Sequence, residues 1–196
     1  MRIENEIVRV IPMKMEHVEG IQEAANDERI WQHMSVDLTD RNAVVSYVED
    51  AVKRRQDGTD EAYVIVFQET GEIIGATWFL DISVPHKRLE IGSTWIHPDY
   101  WRSNINTNCK YLLLQHCFEK RFLQRVQIKT SHQNLRSQAA IERIGAKKEG
   151  VLRNHMIQRD GSVRHTVLYS VVSEEWSTIK KHFEDNLLQK TGRIDS

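Results

Sequence analysis

The sequence predicts one domain of the α+β class, and three observations support this. The chain has 196 residues, of which 40% are hydrophobic, enough for one substantial core and short for two typical domains. Residues 62–96 alternate with the period of β-strands. Residues 89–130 then predict a strand, a helix and a strand, which together form a crossover connection. We therefore expect a single domain over residues 1–196.

The N-terminal part predicts a strand followed by helices. Residues 6–13 alternate loosely between apolar and polar side chains, which predicts the opening strand. Residues 16–25 carry apolar side chains at helical spacing, and residues 30–34 predict a second short helix. Residues 39–40 are Thr and Asp, both good capping residues, so the apolar repeat over 44–55 predicts a third helix.

The middle of the chain predicts three consecutive antiparallel strands. Residues 63–67 and 73–80 flank a turn at 69–72 and form a predicted hairpin. The third strand spans 89–96. An amphipathic helix over 105–118 follows it, as expected for a helix that packs on a sheet.

The two cysteines lie on that predicted helix. Cys109 and Cys117 are eight residues apart, which is about 12 Å along a helix axis. A disulfide needs Cα atoms within about 7 Å of each other. We therefore expect both to be buried, reduced thiols.

The C-terminal part begins with a compact strand over 125–130. Residues 139–145 then predict a short helix that ends at a glycine, and residues 146–156 and 163–172 predict a final hairpin. A Ser-x-Glu capping signature opens a C-terminal helix over about 173–188. The tail, residues 190–196, is polar, and we predict that it is mobile.

Composition and charge exclude several classes of protein. The net charge is −1 and the pI is about 6.8, so no global field favours nucleic acid or an anionic membrane. The N-terminus has no signal-peptide core, and no apolar run approaches the roughly 20 residues that span a bilayer. The nine histidines lack metal-ligand spacing. We expect a cytoplasmic protein without a metal, direct nucleic-acid contacts or a membrane anchor.

A candidate anion site follows the third central strand. The polar loop 101–107 leads directly into the helix, so several unpaired backbone N–H groups and the positive end of the helix dipole face one point. Asn occupies positions where phosphate-binding loops usually carry Gly, and Asn tolerates left-handed backbone angles better than most residues. The alternative is an ordinary strand-to-helix corner that binds nothing.

Several motifs sharpen this interpretation because they occur together in one family. They are Pro98-x-x-Trp101, Asn106, Arg125-Val126, Asn134-x-x-Ser137, Ala140-Ile141-Glu142-Arg143-Ile144-Gly145-Ala146, Glu149-Gly150, Leu152-Arg153, Tyr169-Ser170 and Glu175-Trp176. With them, nearly the whole chain resembles the GCN5-related N-acetyltransferases (GNAT), and in particular their RimJ/RimL-like branch. The resemblance implies the three-layer acyl-CoA N-acyltransferase fold, with a mixed, mostly antiparallel seven-stranded sheet, helices on both faces and a splayed strand pair.

The resemblance also implies where acetyl-CoA, the acetyl donor, binds. Pantetheine would lie between the splayed strands, beside backbone groups of Trp95, Ile96 and His97 and near Asn134 and Ser137. The pyrophosphate would meet the loop and helix start at Trp101, Arg102, Ser103, Asn104, Ile105, Asn106 and Thr107. The family's loop has the form Gln/Arg-x-x-Gly-x-Gly/Ala, and Trp101, Asn104 and Asn106 stand at its matching positions, so both glycines are absent.

Glu90 and Ser137 are the candidate catalytic residues. Acetyl transfer to an amine needs an acceptor for the amine proton and a proton for the departing thiolate. Glu90 lies in an apolar strand and is the candidate base; the alternative is a structural salt bridge with Arg88 or Arg153. Ser137 matches the family's Asn-x-x-Ser and is the candidate proton donor; the alternative is helix capping.

We therefore predict an N-acetyltransferase in which an amine attacks the bound thioester directly. The candidate acceptor-binding residues are Trp31, Trp78, Asp81 and Glu90. The acceptor is either a protein α-amine, including that of a ribosomal protein, or a small amine such as a polyamine, an antibiotic or an aminoacyl compound. The alternative function is a non-catalytic acyl-CoA sensor. A homodimer is also predicted, from the apolar residues Val167, Leu168, Val171, Trp176, Phe183 and Leu187.

Overall fold

The computed structural model describes residues 3–188, so the predicted mobile tail lies outside the described residues. The strands are β1 (Ile3–Glu4), β2 (Val8–Pro12), β3 (Glu61–Phe67), β4 (Ile73–Ser83), β5 (Arg88–Ile96), β6 (Arg125–Ser131), β7 (Lys147–Ile157) and β8 (Val163–Val172). The α-helices are α1 (Val18–Ala24), α2 (Arg41–Gln56), α3 (Ile105–Gln115), α4 (Leu135–Arg143) and α5 (Trp176–His182). Short 3-10 or π segments extend several of them, including His116–Lys120 after α3.

The strands form one eight-stranded sheet in the order β1-β2-β3-β4-β5-β6-β8-β7. Neighbouring strands are antiparallel except for β5 and β6, which are parallel. The mixed, mostly antiparallel sheet is confirmed, with one strand more than the seven expected. The additional strand, β1, has two residues and is therefore too short to show an alternating pattern. Asn5 forms the turn after it by accepting the N–H groups of Ile7 and Val8 at 3.0 Å.

Helices cover both faces of the sheet, as predicted, and each face has its own core. On β3, Tyr63, Ile65 and Phe67 pack into one cluster with α3 and α5. Ala62, Val64 and Val66 pack into the other cluster, with α1 and α2. This division follows from the alternation of side chains along a strand. The face under α1 and α2 is hereafter the upper face, and the face under α3 and α5 is the lower face.

The splayed strand pair is β5 and β6. They pair at three positions only: Arg88 with Arg125, Leu89 with Val126, and Glu90 with Gln127. Beyond Glu90, β5 stays paired with β4, and β6 stays paired with β8. A gap therefore opens toward the C-terminal ends of both strands, where the chain turns into α3 and α4.

The residues that motivated the dimer prediction belong mainly to the chain's own core. Val167, Val171, Trp176, Phe183 and Leu187 all lie in the lower-face core, so the inference that they exceed what one core needs is wrong. Exposed apolar side chains lie instead on the hairpin of β7 and β8, at Val151, Leu152, Met156, Ile157 and Val163.

Both cysteines are free and buried, as predicted. Burial in the core raises the pKa of the Cys109 thiol to about 11 and raises that of Cys117 further still. None of the helices within residues 3–188 combines the length and the apolar character needed to cross a bilayer.

Candidate active site

Glu90 lies at the closed end of the gap, at the last position where β5 and β6 still pair. Its side chain is buried on the upper face, since its neighbours Leu89 and Ile91 point into the lower core. The carboxylate lies 2.6 Å from Nζ of Lys129. The alternative of an ion pair is therefore realised, but with Lys129 instead of Arg88 or Arg153. Lys129 was not predicted, because the pair depends on which strand lies beside β5.

Asp81 forms a local ion pair with Arg88. Its carboxylate lies 2.5 Å from Nη1 of Arg88, and its backbone N–H donates to Asp60 at 2.7 Å. Both contacts are at the closed end of the gap. The Asp81 carboxylate is therefore engaged in a local ion pair, one residue along β4 from Leu80, the partner of Glu90.

The two predicted tryptophans of the acceptor pocket belong to the upper-face core. The Trp31 indole N–H donates to the Ala25 carbonyl at 3.1 Å, and its ring lies 5.3 Å from that of Trp95. The Trp78 indole N–H donates to the Tyr47 hydroxyl at 2.5 Å. Trp31 and Trp95 are therefore brought together behind the wall of the gap, and the polar atoms of Trp31 and Trp78 are satisfied within the chain.

A β-bulge interrupts β5 along the gap. Gly92 pairs with Trp78, and Trp95 pairs with Ala76, so two residues of β5 face one residue of β4 between these pairs. Ser93 has φ of 46°, a left-handed conformation that is uncommon for a residue with a side chain. Bulges bend a strand and redirect its groups, and they are frequent beside active sites.

Lys110, which sequence reasoning missed, reaches the bulge from α3. Its Nζ donates to Oγ1 of Thr94 at 2.8 Å, and Thr94 also shares a 2.8 Å hydrogen bond with Oγ1 of Thr77. Burial lowers the pKa of Lys110 to about 8, while the charge of Glu90 partly opposes this shift. The available signal was a single lysine inside the apolar stretch from Cys109 to Leu114.

The start of α3 presents free donors at the open end of the gap. The Ile105 N–H donates to the Ser103 hydroxyl at 3.3 Å, while the N–H groups of Asn106 and Thr107 have no partner within residues 3–188. The left-handed residue of the loop is Arg102, with φ of 64°. Asn104, expected to tolerate that conformation, has right-handed helical angles, and Asn106 lies inside α3.

Trp101 closes one side of the open end. Its indole N–H donates to the Ile96 carbonyl at 2.7 Å, and the guanidinium of Arg136, in the first turn of α4, stacks 4.3 Å from its ring centre. The His97 N–H donates to Ile74 of β4 at 2.8 Å. The His97 N–H is therefore committed within the chain, whereas the Ile96 carbonyl keeps a second lone pair.

Asn134 and Ser137 lie at the start of α4, at the same open end. The Asn134 side chain accepts the Ser137 N–H at 3.0 Å, so Asn134 caps the start of α4. This hydrogen bond uses the backbone of Ser137 and leaves its hydroxyl out of the cap. The starts of α3 and α4 are in contact, because Trp101, just before α3, stacks on Arg136 in the first turn of α4.

Arg164 is a further charged residue that the sequence did not indicate. It lies on β8 and points to the upper face, since Val167, Tyr169 and Val171 face the lower core. Its Nε is buried and has no hydrogen-bond partner among residues 3–188, and the side chain lines a small cleft with Met34, Ser35, Met156, Ile157 and Gln158. Burial lowers the pKa of Arg164, and the charge of Glu90 opposes this shift.

These residues fit acetyl-CoA. The gap offers strand edges that lack a neighbour, and backbone groups on such edges must bind water or a ligand. The unpartnered N–H groups of Asn106 and Thr107 suit an anionic pyrophosphate at the positive end of α3. The acidic side chains that would oppose such an anion are absent from residues 101–107.

Comparison with known proteins agrees with this arrangement. The family model described as an acetyltransferase (GNAT) domain matches residues 8–147, which is more than half of the chain. The chain therefore belongs to the GNAT acetyltransferase family and is an acyltransferase. The uncharacterised N-acetyltransferase YoaA of Bacillus subtilis (strain 168) is 26% identical over 148 residues, which cover 76% of this chain and 82% of YoaA.

Solved structures extend the match over nearly the full chain. A T. thermophilus protein assigned as an acetyltransferase is 32% identical, with a TM-score of 0.83 over 95% of this chain and 96% of that one. The microcin C7 self-immunity acetyltransferase MccE, in complex with acetyl-CoA and AMP, shares the fold at 23% identity, with a TM-score of 0.77 over 86% of this chain and 93% of MccE. A Salmonella typhimurium acetyltransferase that modifies the N-terminal serine of ribosomal protein L7/L12 shares it at 19% identity, with a TM-score of 0.78 over 88% of this chain and 99% of that one.

Proposed function

We propose that this protein transfers an acetyl group from acetyl-CoA to an amine by direct attack of the amine on the thioester. The observation that carries the proposal is the gap between β5 and β6, which has the free donors of α3 at its open end and the buried Glu90 at its closed end. A donor bound along the gap has its thioester near the closed end. The acceptor is then proposed to approach Glu90 from the upper face.

The donor site follows from the two sets of unpaired backbone groups. Pantetheine is proposed to lie along the free edges of β5 and β6, and the pyrophosphate to accept the N–H groups of Asn106 and Thr107. Support for acetyl-CoA comes from the family and from MccE, which was solved with acetyl-CoA. Ser137 lies at the same end of the gap, and its hydroxyl is proposed to donate a proton to the departing thiolate.

Glu90 is proposed to accept the proton of the attacking amine, directly or through one water molecule. Most amines are protonated at neutral pH, so attack requires a base or the arrival of the neutral form. The ion pair with Lys129 fixes the orientation of the carboxylate. If the acceptor arrives as an ammonium ion, the oxygen atoms of the Glu90 carboxylate must accept hydrogen bonds from both that ion and Lys129.

The acceptor is proposed to be a protein N-terminal α-amine or a small amine. The RimJ/RimL-like motifs and the Salmonella structural relative that acts on L7/L12 support the first class, which includes a ribosomal protein as partner. Trp31 and Trp78 would contribute to acceptor binding indirectly, because both pack in the same core cluster as Trp95. Arg164 adds a positive charge to the upper face, which favours acceptors whose amine lies near a carbonyl or an anionic group over polycations.

The test combines calorimetry with an assay for free thiol. Purified protein is titrated with acetyl-CoA, CoA and a compound without the thiol, and thiol release is then measured with peptides of varied N-terminal residue and with small amines. Amine-dependent thiol release would support the transferase and define the acceptor class. Binding of acetyl-CoA without turnover on any acceptor would favour an acyl-CoA sensor, and absence of binding would overturn the proposal.

We also propose a homodimer and a cytoplasmic location. The support for a dimer is the exposed apolar surface of the β7–β8 hairpin, where β7 is an edge strand of eleven residues. The support for the compartment is that both cysteines are unpaired thiols, which the reducing cytosol preserves.

A further inference from the structure

The β5 bulge lies where the strand has a neighbour on one side only. Beyond Glu90, β5 pairs with β4 but not with β6, so backbone groups that the bulge turns away from β4 face the gap. Such groups can polarise a carbonyl bound there. Their direction depends on keeping Ser93 at φ of 46°, a conformation that persists only when the surrounding structure enforces it.

Two hydrogen bonds from outside β5 support this conformation, and both end on the Thr94 hydroxyl, which also lies 3.4 Å from the Gly92 carbonyl oxygen within the bulge. Thr94 Oγ1 lies 2.8 Å from Thr77 Oγ1 in β4 and 2.8 Å from Lys110 Nζ in α3. Thr94 is thus held from the neighbouring strand and from the helix beneath the sheet. A change of register at the bulge would move Thr94 relative to both partners.

Lys110 lies in a position where a charged side chain lowers the stability of the fold. Lys110 is 7% exposed, and Thr94 provides its one hydrogen bond within residues 3–188. A buried ammonium with one partner loses hydration that a single hydrogen bond does not replace. A methionine of similar length would fill the same space without that penalty, so the contact with Thr94 does not serve global stability.

We propose that Lys110 is a positioning residue of the acetyl-transfer site, which fixes Thr94 and thereby holds the β5 bulge in the conformation that presents its backbone to the gap. This inference rests on the proposed function. Lys110 acts through Thr94 and not by contact with substrate. The same reasoning assigns Thr77 as the second support, from the side of β4.

The test is a double-mutant cycle of Lys110→Met and Thr94→Val. Lys110→Met is expected to lower kcat about tenfold. Thr94→Val, which also loses the contact with Thr77, should lower kcat at least as much. The double variant should lower kcat no further than Thr94→Val, because the valine already removes the contact with Lys110. Thr94→Ser keeps the hydroxyl and should retain a larger share of kcat than Thr94→Val. Lys180→Met, which removes a lysine that pairs with Glu119 on the lower face, is the matched control and should leave kcat unchanged.

Two readouts independent of catalysis accompany the cycle. Hydrogen exchange of peptides that cover residues 89–96 should be faster in Lys110→Met than in wild type, while the urea midpoint of unfolding should be equal or higher. Wild-type kcat in Lys110→Met, additive effects in the cycle, or a loss of kcat matched by a loss of global stability would each overturn the proposal. If wild type releases no thiol in the presence of any amine, the proposed function fails, and the exchange comparison alone decides whether Lys110 holds the bulge. Should Lys110→Met not fold, Thr94→Val is compared with Thr94→Ser, and equal kcat and equal exchange in these two variants would overturn the proposal.

Discussion

Three charged side chains are buried or half-buried around the gap, and their placement is unusual for their residue types. Glu90 and Lys129 form an ion pair on the upper face, and Lys110 approaches from the lower face. Buried charges reduce stability unless partners replace their hydration. Cys109 and Cys117, by contrast, are buried thiols whose raised pKa values keep them protonated and unreactive. The candidate site is therefore distinguished by its buried charged side chains and not by a reactive thiol.

Replacement of Glu90 by Gln should lower kcat/KM by about 10²–10⁴ at neutral pH, the range for loss of a general base. The loss should shrink as pH rises, because more of the amine then arrives neutral. The measurement is thiol release across pH, with acetyl-CoA affinity followed by calorimetry. Glu184→Gln, which changes a carboxylate bonded to Tyr111 away from the gap, is the control. Equal rates for Glu90→Gln and wild type would remove Glu90 as the base.

Lys110 should give stability a distinctive dependence on pH. Its pKa in the folded chain is about 8, below the ordinary value of 10.5. Between pH 8 and 10.5 the lysine is therefore protonated in the unfolded chain and deprotonated in the folded chain. The free energy of unfolding of wild type relative to Lys110→Met should therefore rise between pH 8 and 10.5, by up to about 1.4 kcal/mol per pH unit. Urea unfolding of both proteins across this window measures it. If the difference in free energy of unfolding between the two proteins did not change with pH, the burial of an ammonium at this position would be contradicted.

The start of α3 and the edge of β5 determine which ligand the fold can hold. α3 begins with two N–H groups that lack partners in the described chain, and β5 presents an edge without a neighbour. Both features are backbone groups left unpaired, at the first turn of a helix and along the edge of a strand, and neither depends on one side chain. Substitutions there should change ligand binding and stability separately.

Asn106→Asp should have opposite effects on stability and on acetyl-CoA affinity. A negative charge near the start of α3 should stabilise the free protein by roughly 0.3–1 kcal/mol. The same charge repels a pyrophosphate, so affinity should fall about fivefold, which corresponds to roughly 1 kcal/mol. Calorimetry and urea unfolding measure the two effects. Asn42→Asp, at the corresponding second position of α2, controls for the added charge, and unchanged affinity in Asn106→Asp would argue against a phosphate group at α3.

Gly75→Ala should destabilise the contact between β4 and β5. A Cβ on Gly75 would lie 2.2 Å from the Trp95 carbonyl oxygen and 3.0 Å from the Ile96 Cα, both backbone atoms of the gap wall. The strand must shift, at an expected cost of about 1–3 kcal/mol, which urea unfolding would measure. Gly150→Ala meets nothing within 4 Å and should change stability by less than about 0.5 kcal/mol. Equal stability of the two variants would contradict the observed register.

At the scale of the whole molecule, the sheet is covered unevenly. Its centre has a core on each face, whereas β7 forms one edge and is largely exposed along its length. Exposed apolar groups on an edge strand favour association with another chain. The ion pair of Arg159 with Asp37 also joins the β7–β8 turn to the segment before α2, so this edge borders the upper face.

A dimer through the β7–β8 hairpin predicts that Leu152→Glu weakens association. The added charge would be buried in the interface, and even a partly buried charge without a partner is costly. Light scattering across protein concentrations should show a dimer for wild type and a shift toward monomer for this variant. Leu135→Glu, at an exposed leucine on α4, is the control. A monomer at every concentration of wild type would end the dimer hypothesis.

The sequence alone determined the order of elements from β2 onward, the position of the α3 start and, through the resemblance of its motifs, the family and the gap. These depend on local periodicity, caps and motifs, which neighbouring residues define. Only the tertiary structure decided the partners of the charged groups: Lys129 for Glu90, Arg88 for Asp81, and Thr94 for Lys110. The partner residues stand 39, 7 and 16 positions apart along the chain, and their contact depends on strand order, register and the bulge. The physical reason is that local interactions specify an element, whereas packing between elements specifies which buried charges meet.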